Sequence, residues 1–318
     1  MADNHSSQFV RILREIAAEL SLDIRDFSSD WAFRLYDGKK QAFIVGYQFP
    51  LNTSTARELC QDKALASEVL TAAGVPNVLH VFLPAPEIAA YMEVPEPDTV
   101  FAELRKDRPY VVVKDNYGTG GHRVLRVETL SEFREALRGI LARSNAACVS
   151  PFYEIREEYR VVMLKGRPML VIRKERPTVT GDGAHTVREL IPEELRESGF
   201  VKKLPEETLS MVPGEGETVK LNWKHNLGQG AQGVIVRDKA VLRKLHALAK
   251  RAAAAVNAAF LSVDIIDTDE GFLVLELNGG VMMEHFAGQD EECRRIAKRI
   301  YKKAVRMMFE EDQPEVMK

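Results

Sequence analysis

Within FLSVDIIDTDEGFLVLELNGG, Asp264 interrupts one apolar strand, Glu276 interrupts the second, FLVLELN, and Asn278 lies two residues on. Glu276 and Asn278 are two residues apart, and side chains alternate along a strand, so both point to one face. A carboxylate placed among leucines and valines needs a cation or hydrogen-bond donors. Two carboxylates and an amide oxygen are hard donors suited to Mg2+, with Mn2+ as the alternative, and such an ion keeps waters and takes up substrate phosphates. Whether Asp264 shares that face depends on the turn. An odd-numbered loop puts Asp264 opposite Val274 and on the side of Glu276; an even-numbered loop separates them unless a bulge restores the parity. The competing possibility is a solvated strand face with both acids exposed.

A second constellation is VVVKDNYGTGGHRVLRV. Three valines hold Lys114 on a strand beside Tyr117-Gly118-Thr119-Gly120-Gly121. A loop this rich in glycine brings backbone N–H groups close to an anion such as phosphate, and Lys114 adds positive charge there. An ordinary tight hairpin explains the same glycines. No Gly-Lys-Ser/Thr ending follows, so this is no Walker A loop. A strand and not a helix comes next, which excludes the dinucleotide fingerprint.

Basic residues follow at Arg160, within EEYRVVMLKG, at Arg173, after MLVI, and at Lys220 and Lys224. Each taken singly is an ordinary surface cation, yet an arginine on a strand can hold carboxylate or phosphate oxygens through its planar fork. Glu158 lies two residues before Arg160 and shares its strand face. His285 follows the acidic segment, where it either touches a ligand or hydrogen-bonds a loop. No Ser/His/Asp nucleophile signature occurs.

These residues need a scaffold. Phe9, Leu13, Ile16 and Leu20 fall on one face of a helix over 8–20. Aromatic and β-branched residues around Asp37-Gly38 predict a hairpin over 31–49, and 55–73 reads as one helix ending at Gly74. Thr129 and Glu132 have capping-box spacing before a helix to Leu141. Strands are expected at 146–153, 158–164 and 168–173, helices at 187–196, 239–259 and 289–309, and a hairpin over 261–278. Glycine-rich loops fill much of 174–235, and the charged tail is expected to fray. With 318 residues, 45% of them hydrophobic, the chain can bury two or three lobes, and a net charge of −3 gives no reason to expect nucleic acid. Three cysteines without close spacing indicate neither a disulfide framework nor a zinc knuckle. The start, MADNHSSQFV, lacks a signal-peptide pattern and no membrane-length apolar run occurs, so a cytoplasmic protein is expected.

The order of the pieces DKALASEVLTAAGVP, VVVKDNYGTGGHRV, SPFYEIREEYRVVMLKGRP, RPTVTGDGAHTVREL, KHNLGQGA and SVDIIDTDEGFLVLELN resembles the ATP-grasp superfamily, in the branch of glutathione synthetase, cyanophycin synthetase and ribosomal-protein glutamate ligase. The likeness runs from about residue 62 to 278, roughly two thirds of the chain. It implies an α+β fold in which two α+β subdomains clasp ATP, with a small N-terminal α/β lobe. The corresponding boundaries are 1–97 for the lobe, 98–178 for the small subdomain with the glycine loop, and 179–318 for the large subdomain with the substrate loops and magnesium site. In such families Lys114 contacts the nucleotide, and Gly118, Thr119, Gly120 and Gly121 cover its phosphates. Phe152 and Tyr153 line the adenine pocket, and Glu158 takes the ribose. Arg160, Arg173 and Lys224 are the catalytic cations, and Asp264, Glu276 and Asn278 hold the metal. Lys224 stands where the branch often has arginine, and Ser150 replaces the acid common before the hinge.

The resemblance implies an ADP-forming ligase that joins a carboxylate to an amine through an acylphosphate, acting on an amino acid or short peptide, with a homodimer as the expected assembly. The competing functions are ATP-dependent phosphotransfer without amide formation, and a nucleotide-binding regulatory protein without ligase activity.

Overall fold

The computed structural model describes residues 7–197 and 199–310. The charged tail expected to fray lies outside them for the most part.

Helix α1 (Gln8–Glu19) starts at Ser7, whose hydroxyl accepts from Val10 N, and buries Phe9, Ile12, Leu13 and Ile16. A three-stranded antiparallel sheet follows, β1 (Asp23–Phe27), β2 (Ala32–Tyr36) and β3 (Gln41–Val45). The expected hairpin is its last two strands. The single helix expected over 55–73 is two, α2 (Ser54–Gln61) and α3 (Lys63–Ala72). Asp62 ends one and caps the other: its N–H reaches Glu58 O while its carboxylate accepts from Leu65 N at 2.9 Å. A capping aspartate is worth about 1 kcal/mol to a helix start, which outweighs continuing the spiral here.

Next come β4 (Val81–Pro84), α4 (Pro86–Ala89), α5 (Pro97–Arg105), β5 (Val111–Asp115), β6 (Val124–Val127), α6 (Leu130–Leu141) and β7 (Ala146–Pro151). The four strands form one sheet in the order β4-β7-β5-β6, with Phe101, Phe133, Leu137 and Ile140 packed on it. Both halves of the capping box at Thr129 and Glu132 are made.

The larger sheet has the order β12-β9-β8-β13-β14, built from β8 (Glu157–Leu164), β9 (Arg167–Glu175), β12 (Gln232–Ile235), β13 (Phe260–Thr268) and β14 (Gly271–Asn278). Between β9 and β12 a two-stranded ribbon, β10 (Thr178–Thr180) and β11 (Thr218–Lys220), carries α7 (Val187–Leu190), α8 (Glu193–Arg196) and α9 (Glu206–Ser210). The helix expected over 187–196 breaks at Ile191, whose backbone is extended before Pro192, because proline disfavours a helical residue in front of it. Helices α10 (Lys239–Ala255), α11 (Glu284–Ala287) and α12 (Glu291–Phe309) complete the chain.

Alternation gives the large sheet two apolar faces. Val162, Leu164, Ile172 and Phe260 meet α1, the N-terminal sheet and α12 on one side. Val161, Met163, Val171 and Val263 meet α2, α3 and α10 on the other. The boundaries expected from the sequence therefore change. β4 belongs with the small sheet although it precedes residue 98, and β8 and β9 pair with β13 and β12 although they precede 179. Antiparallel partners so far apart leave no local trace in the pattern.

Candidate active site

The late hairpin settles the parity of its acids. Thr268 pairs with Gly271, so the loop has two residues, and the regular register would set Asp264 opposite Leu275. A bulge after Asp264 shifts the pairing, and Asp264 lies opposite Glu276 and Ser262 opposite Asn278. One extra residue on β14 thus brings Asp264, Glu276 and Asn278 to a common face.

On the next strand Arg160 pairs with Asp264. Its guanidinium holds the carboxylate in a two-point grip, Nε to Oδ1 at 2.8 Å and a terminal nitrogen to Oδ2 at 2.7 Å. Lys174 adds Nζ to Oδ2 of Asp264 at 2.8 Å and to Oε1 of Glu158 at 2.5 Å. These side chains are buried or nearly so. Burial opposes ionisation of Asp264, but Arg160 and Lys174 outweigh it and hold the carboxyl well below its usual range. For Glu158 the balance falls the other way: burial, aided by the Asp264 and Glu276 carboxylates, raises its pKa against the pull of Lys174. Burial is likewise outweighed at Arg160 and Lys174, whose carboxylate neighbours keep them firmly protonated.

Arg173 is not part of this cluster. It pairs across the ladder with Tyr159, on the opposite face from Arg160, and its guanidinium goes to Glu175 and Glu157. One step along β9, Lys174 takes the place expected for Arg173. Lys174 stands directly after Arg173, and two adjacent cations at a strand end give no sign in the sequence of which one faces inward.

Asp264 is occupied by two cations, whereas Glu276 and Asn278 are half-buried, with only a long 3.4 Å contact between them. Among the described residues no group of three or more acids, histidines or cysteines is arranged to hold a metal. Glu276 and Asn278 supply two hard oxygen donors on one face, a donor set that would suit a magnesium ion.

The small sheet brings Lys114 near this face. Lys114 is buried opposite Cys148; burial pushes its ammonium pKa down, while the Cys148, Glu276 and Glu158 groups stand near enough to oppose that shift. In the loop beyond it, Gly120 and Gly121 have φ of +68° and +67°, the left-handed conformation that glycine adopts without strain. Lys63 Nζ donates to Gly118 O at 2.5 Å, Gln229 Nε2 to Gly120 O at 3.0 Å and Lys224 Nζ to Gly121 O at 3.0 Å. A Cβ on Gly121 would stand 3.0 Å from Asn226 Nδ2. The loop's carbonyls are thus held from both sides, while the N–H groups of Thr119, Gly120 and Gly121 donate to no acceptor among the described residues. Such a set of free donors suits an anion.

At the mouth, Phe152 meets Tyr110 edge to face at 5.4 Å, and Arg126 spans Tyr110, Phe152 and Trp223. Tyr153 lies under Arg108 and packs with Val78, Ile266 and Leu273. His285 is exposed, with Nε2 3.2 Å from where a Cβ on Gly228 would stand. Three residues join the site that the sequence did not single out. Lys63 and Asn116 brace the glycine loop, Asn116 Oδ1 accepting from Ala64 N at 3.0 Å. His225 is buried with Nδ1 3.6 Å from Glu158 Oε2, and burial, with Arg176, Lys174 and Lys220 nearby, pushes its pKa down to about 3. Position beside Lys224 was the one available signal.

Comparison with solved structures gives the architecture a name. The fold matches the bifunctional glutathione synthetase from Pasteurella multocida with a TM-score of 0.56 at 18% identity, over 92% of this chain and 44% of that one. It matches D-alanine–D-alanine ligase from Bacillus anthracis with a TM-score of 0.53 at 13% identity, over 80% and 71%. The chain has the ATP-grasp fold. Residues 215–301 match the model of the RimK-like ATP-grasp domain. Among curated proteins, the glutathione biosynthesis bifunctional protein of Listeria welshimeri is 28% identical over 235 residues, 65% of this chain and 29% of that protein. The protein of the same name from Enterococcus faecalis is 27% identical over 67% of this chain and 29% of its own length. The ATP-grasp chain thus spans under a third of these relatives' length. Among its described residues no helix is long and apolar enough to cross a membrane.

Proposed function

We propose that this protein is an ATP-dependent carboxylate–amine ligase that forms an amide bond through an acylphosphate. The reading is supported by a glycine loop with free N–H groups beyond Lys114, and by Lys114 standing near enough to Glu276, on the acid-bearing face of the late hairpin, to interact with it electrostatically. Phosphate belongs in that space. Amino acids or short peptides are the proposed substrates, as the names of the ATP-grasp relatives suggest.

In this reading Lys114 and the N–H groups of residues 119–121 bind the ATP phosphates, and Phe152 and Tyr153 border the base. Glu276 and Asn278 hold magnesium, with Asp264 beside them serving as anchor for Arg160 and Lys174. Bound there, the ion supplies positive charge against phosphate oxygens. The carboxylate oxygen of one substrate attacks the γ-phosphorus, the bond to the β-phosphate oxygen breaks, and ADP leaves. Arg160 and Lys174 lie on strands, fixed by Asp264 and Glu158, so their charge is in place before negative charge develops. The amine of the second substrate then attacks the acyl carbon, phosphate departs, and the ammonium proton passes to solvent. The glycine loop keeps water from the acylphosphate. Glu158, with one oxygen on Lys174, offers its other to the ribose.

The test is an ATP-consumption screen over paired acids and amines, read by product mass. Ligation gives ADP and phosphate together with a product lighter than its two precursors by one water. A stable phosphorylated product without amide would replace ligation by phosphotransfer, and tight ATP binding without turnover across the panel would support a regulatory protein.

A further inference from the structure

Residues 76–80 cross from one sheet to the other. Val78 N donates to Val274 O at 2.9 Å and Val274 N to Pro76 O at 3.0 Å, so the segment runs parallel to the outer edge of β14, two residues from Glu276. It then enters β4. His80 directly precedes that strand, and alternation places it with Phe82 on the face that carries Cys148 and Lys114.

His80 is 3% exposed, and its backbone N–H donates to Ser67 Oγ at 3.1 Å. Burial, with Lys114 and Lys63 nearby, pushes the pKa of the ring well below the ordinary histidine range, so the imidazole is neutral and carries one N–H. The Val78 carbonyl favours a proton on the ring, while Nε2 is buried without a partner among the described residues. The N–H therefore belongs on Nδ1, and Nε2 keeps its lone pair. A buried acceptor left unpaired is costly.

The ring lines a cavity of ≈ 10 Å³ together with Lys63, Ser67, Asn77 and Glu276. That is the size of about one water. Ser67 and Asn77 are already committed. Ser67 Oγ donates toward Asn77 Oδ1 at 2.8 Å and Val78 O at 3.0 Å, and Asn77 Nδ2 donates to Thr71 Oγ1 at 2.9 Å and Val75 O at 3.0 Å. The other polar groups keep capacity. The Lys63 ammonium uses two of its three N–H groups, on Asn116 O and Gly118 O. Glu276 has one oxygen 3.4 Å from Asn278 Nδ2 and a second that receives no donor among the described residues. With His80 Nε2 this makes one donor and two acceptors, which matches a water that accepts once and donates twice.

We propose that this cavity is the site of a single structural water that accepts from Lys63 and donates to Glu276 and to His80 Nε2, and that His80 is the positioning residue that fixes it. Lys63 braces the glycine loop at Gly118 O, and Glu276 stands on the acid-bearing face of the late hairpin. The water joins a brace of the small sheet to a carboxylate of the large one, and so holds the two halves of the phosphate site in register. The effect on phosphate rests on the ligase reading; the water site does not.

A crystal structure of the full chain that resolves ordered water is expected to show one within hydrogen-bond distance of all three groups. His80→Gln keeps an acceptor at the same reach, and His80→Met removes it. His80→Met should lose the water and weaken binding of magnesium with the non-hydrolysable analogue AMP-PNP about tenfold by calorimetry, while His80→Gln stays within about twofold of the parent. Adding His80→Met to Lys63→Met should weaken binding no further, because His80 acts through that lysine. Circular dichroism checks the fold of each variant, and His80→Leu replaces a His80→Met that does not fold. A crystal structure without a water at these three groups overturns the proposal. So does parent-like AMP-PNP binding by His80→Met, equal weakening by His80→Gln, or losses that multiply in the double variant. Failure of the parent chain to bind AMP-PNP overturns the ligase reading instead, and the crystal structure then decides the water site by itself.

Discussion

Replacing Lys174 by methionine probes the cluster at its most connected point. Its ammonium bonds Glu158 at 2.5 Å and Asp264 at 2.8 Å, and its side chain is 5% exposed. Methionine keeps the length and removes the charge. Asp264 retains the two-point grip of Arg160, so its loss is partial. Glu158 is left with no cation in contact, since the His225 beside it, pushed down to about 3, is neutral at pH 7. Breaking a buried ion pair costs about 3–5 kcal/mol; with Asp264 still held, the lower end, about 3 kcal/mol, is expected. At a denaturant slope of about 3 kcal/mol per molar, that lowers the urea midpoint by about 1 M. The deficit depends on pH. The folded pKa of Glu158 is already raised by burial and rises further without Lys174, so the penalty for its charged form is full above that pKa and fades as pH falls and the carboxyl takes a proton. Urea unfolding followed by circular dichroism at pH 7 and pH 5 measures both effects. Adding Glu158→Gln to the variant should recover most of the stability. A midpoint within about 0.2 M of the parent, or a deficit that ignores both pH and the second substitution, refutes the reasoning.

Glu276→Gln should lower kcat by at least about a hundredfold while leaving the unfolding midpoint in place, since Glu276 is half-buried and makes no ion pair among the described residues; unchanged kinetics would remove it from the metal site. Arg173→Gln should leave kcat/KM within about twofold of the parent, because Arg173 shares the face of Tyr159, which packs with α10, and not the face of Arg160 and Asp264. Gly121→Ala places a Cβ at φ +67° and 3.0 Å from Asn226 Nδ2, so KM for ATP should rise about tenfold through displacement of the loop, read by initial rates. His225→Asn should flatten the acid side of the stability profile. The folded pKa of His225 is pushed down to about 3, so the unfolded chain binds a proton that the folded one refuses. Stability is therefore lost as pH falls below about 6.5, at about 1.4 kcal/mol per pH unit, and urea midpoints of parent and variant should diverge across pH 6.5 to 5.

Most helices and strands were legible from local pattern, and the capping box at Thr129 and Glu132 formed as spaced. Elements whose existence depends on partners were not. The strand β1, Asp-Ile-Arg-Asp-Phe, is mostly exposed and carries no clean alternation, and the helix over 55–73 hid a break set by one capping aspartate. The late acids were found by type, but their common face depends on a bulge that no residue type announces. The choice between Arg173 and Lys174 turned on strand parity, which is fixed by the ladder with β8 and not by either side chain. Lys63 reaches the glycine loop from a helix more than fifty residues earlier in the chain, a distance that no local window spans.

The most direct measurement is a crystal structure of the full chain with magnesium and AMP-PNP. The account expects the triphosphate beneath residues 118–121, with the ion bound by Glu276 and Asn278 and touching phosphate oxygens. A nucleotide seated elsewhere, or a metal bound away from the β13–β14 face, would contradict it.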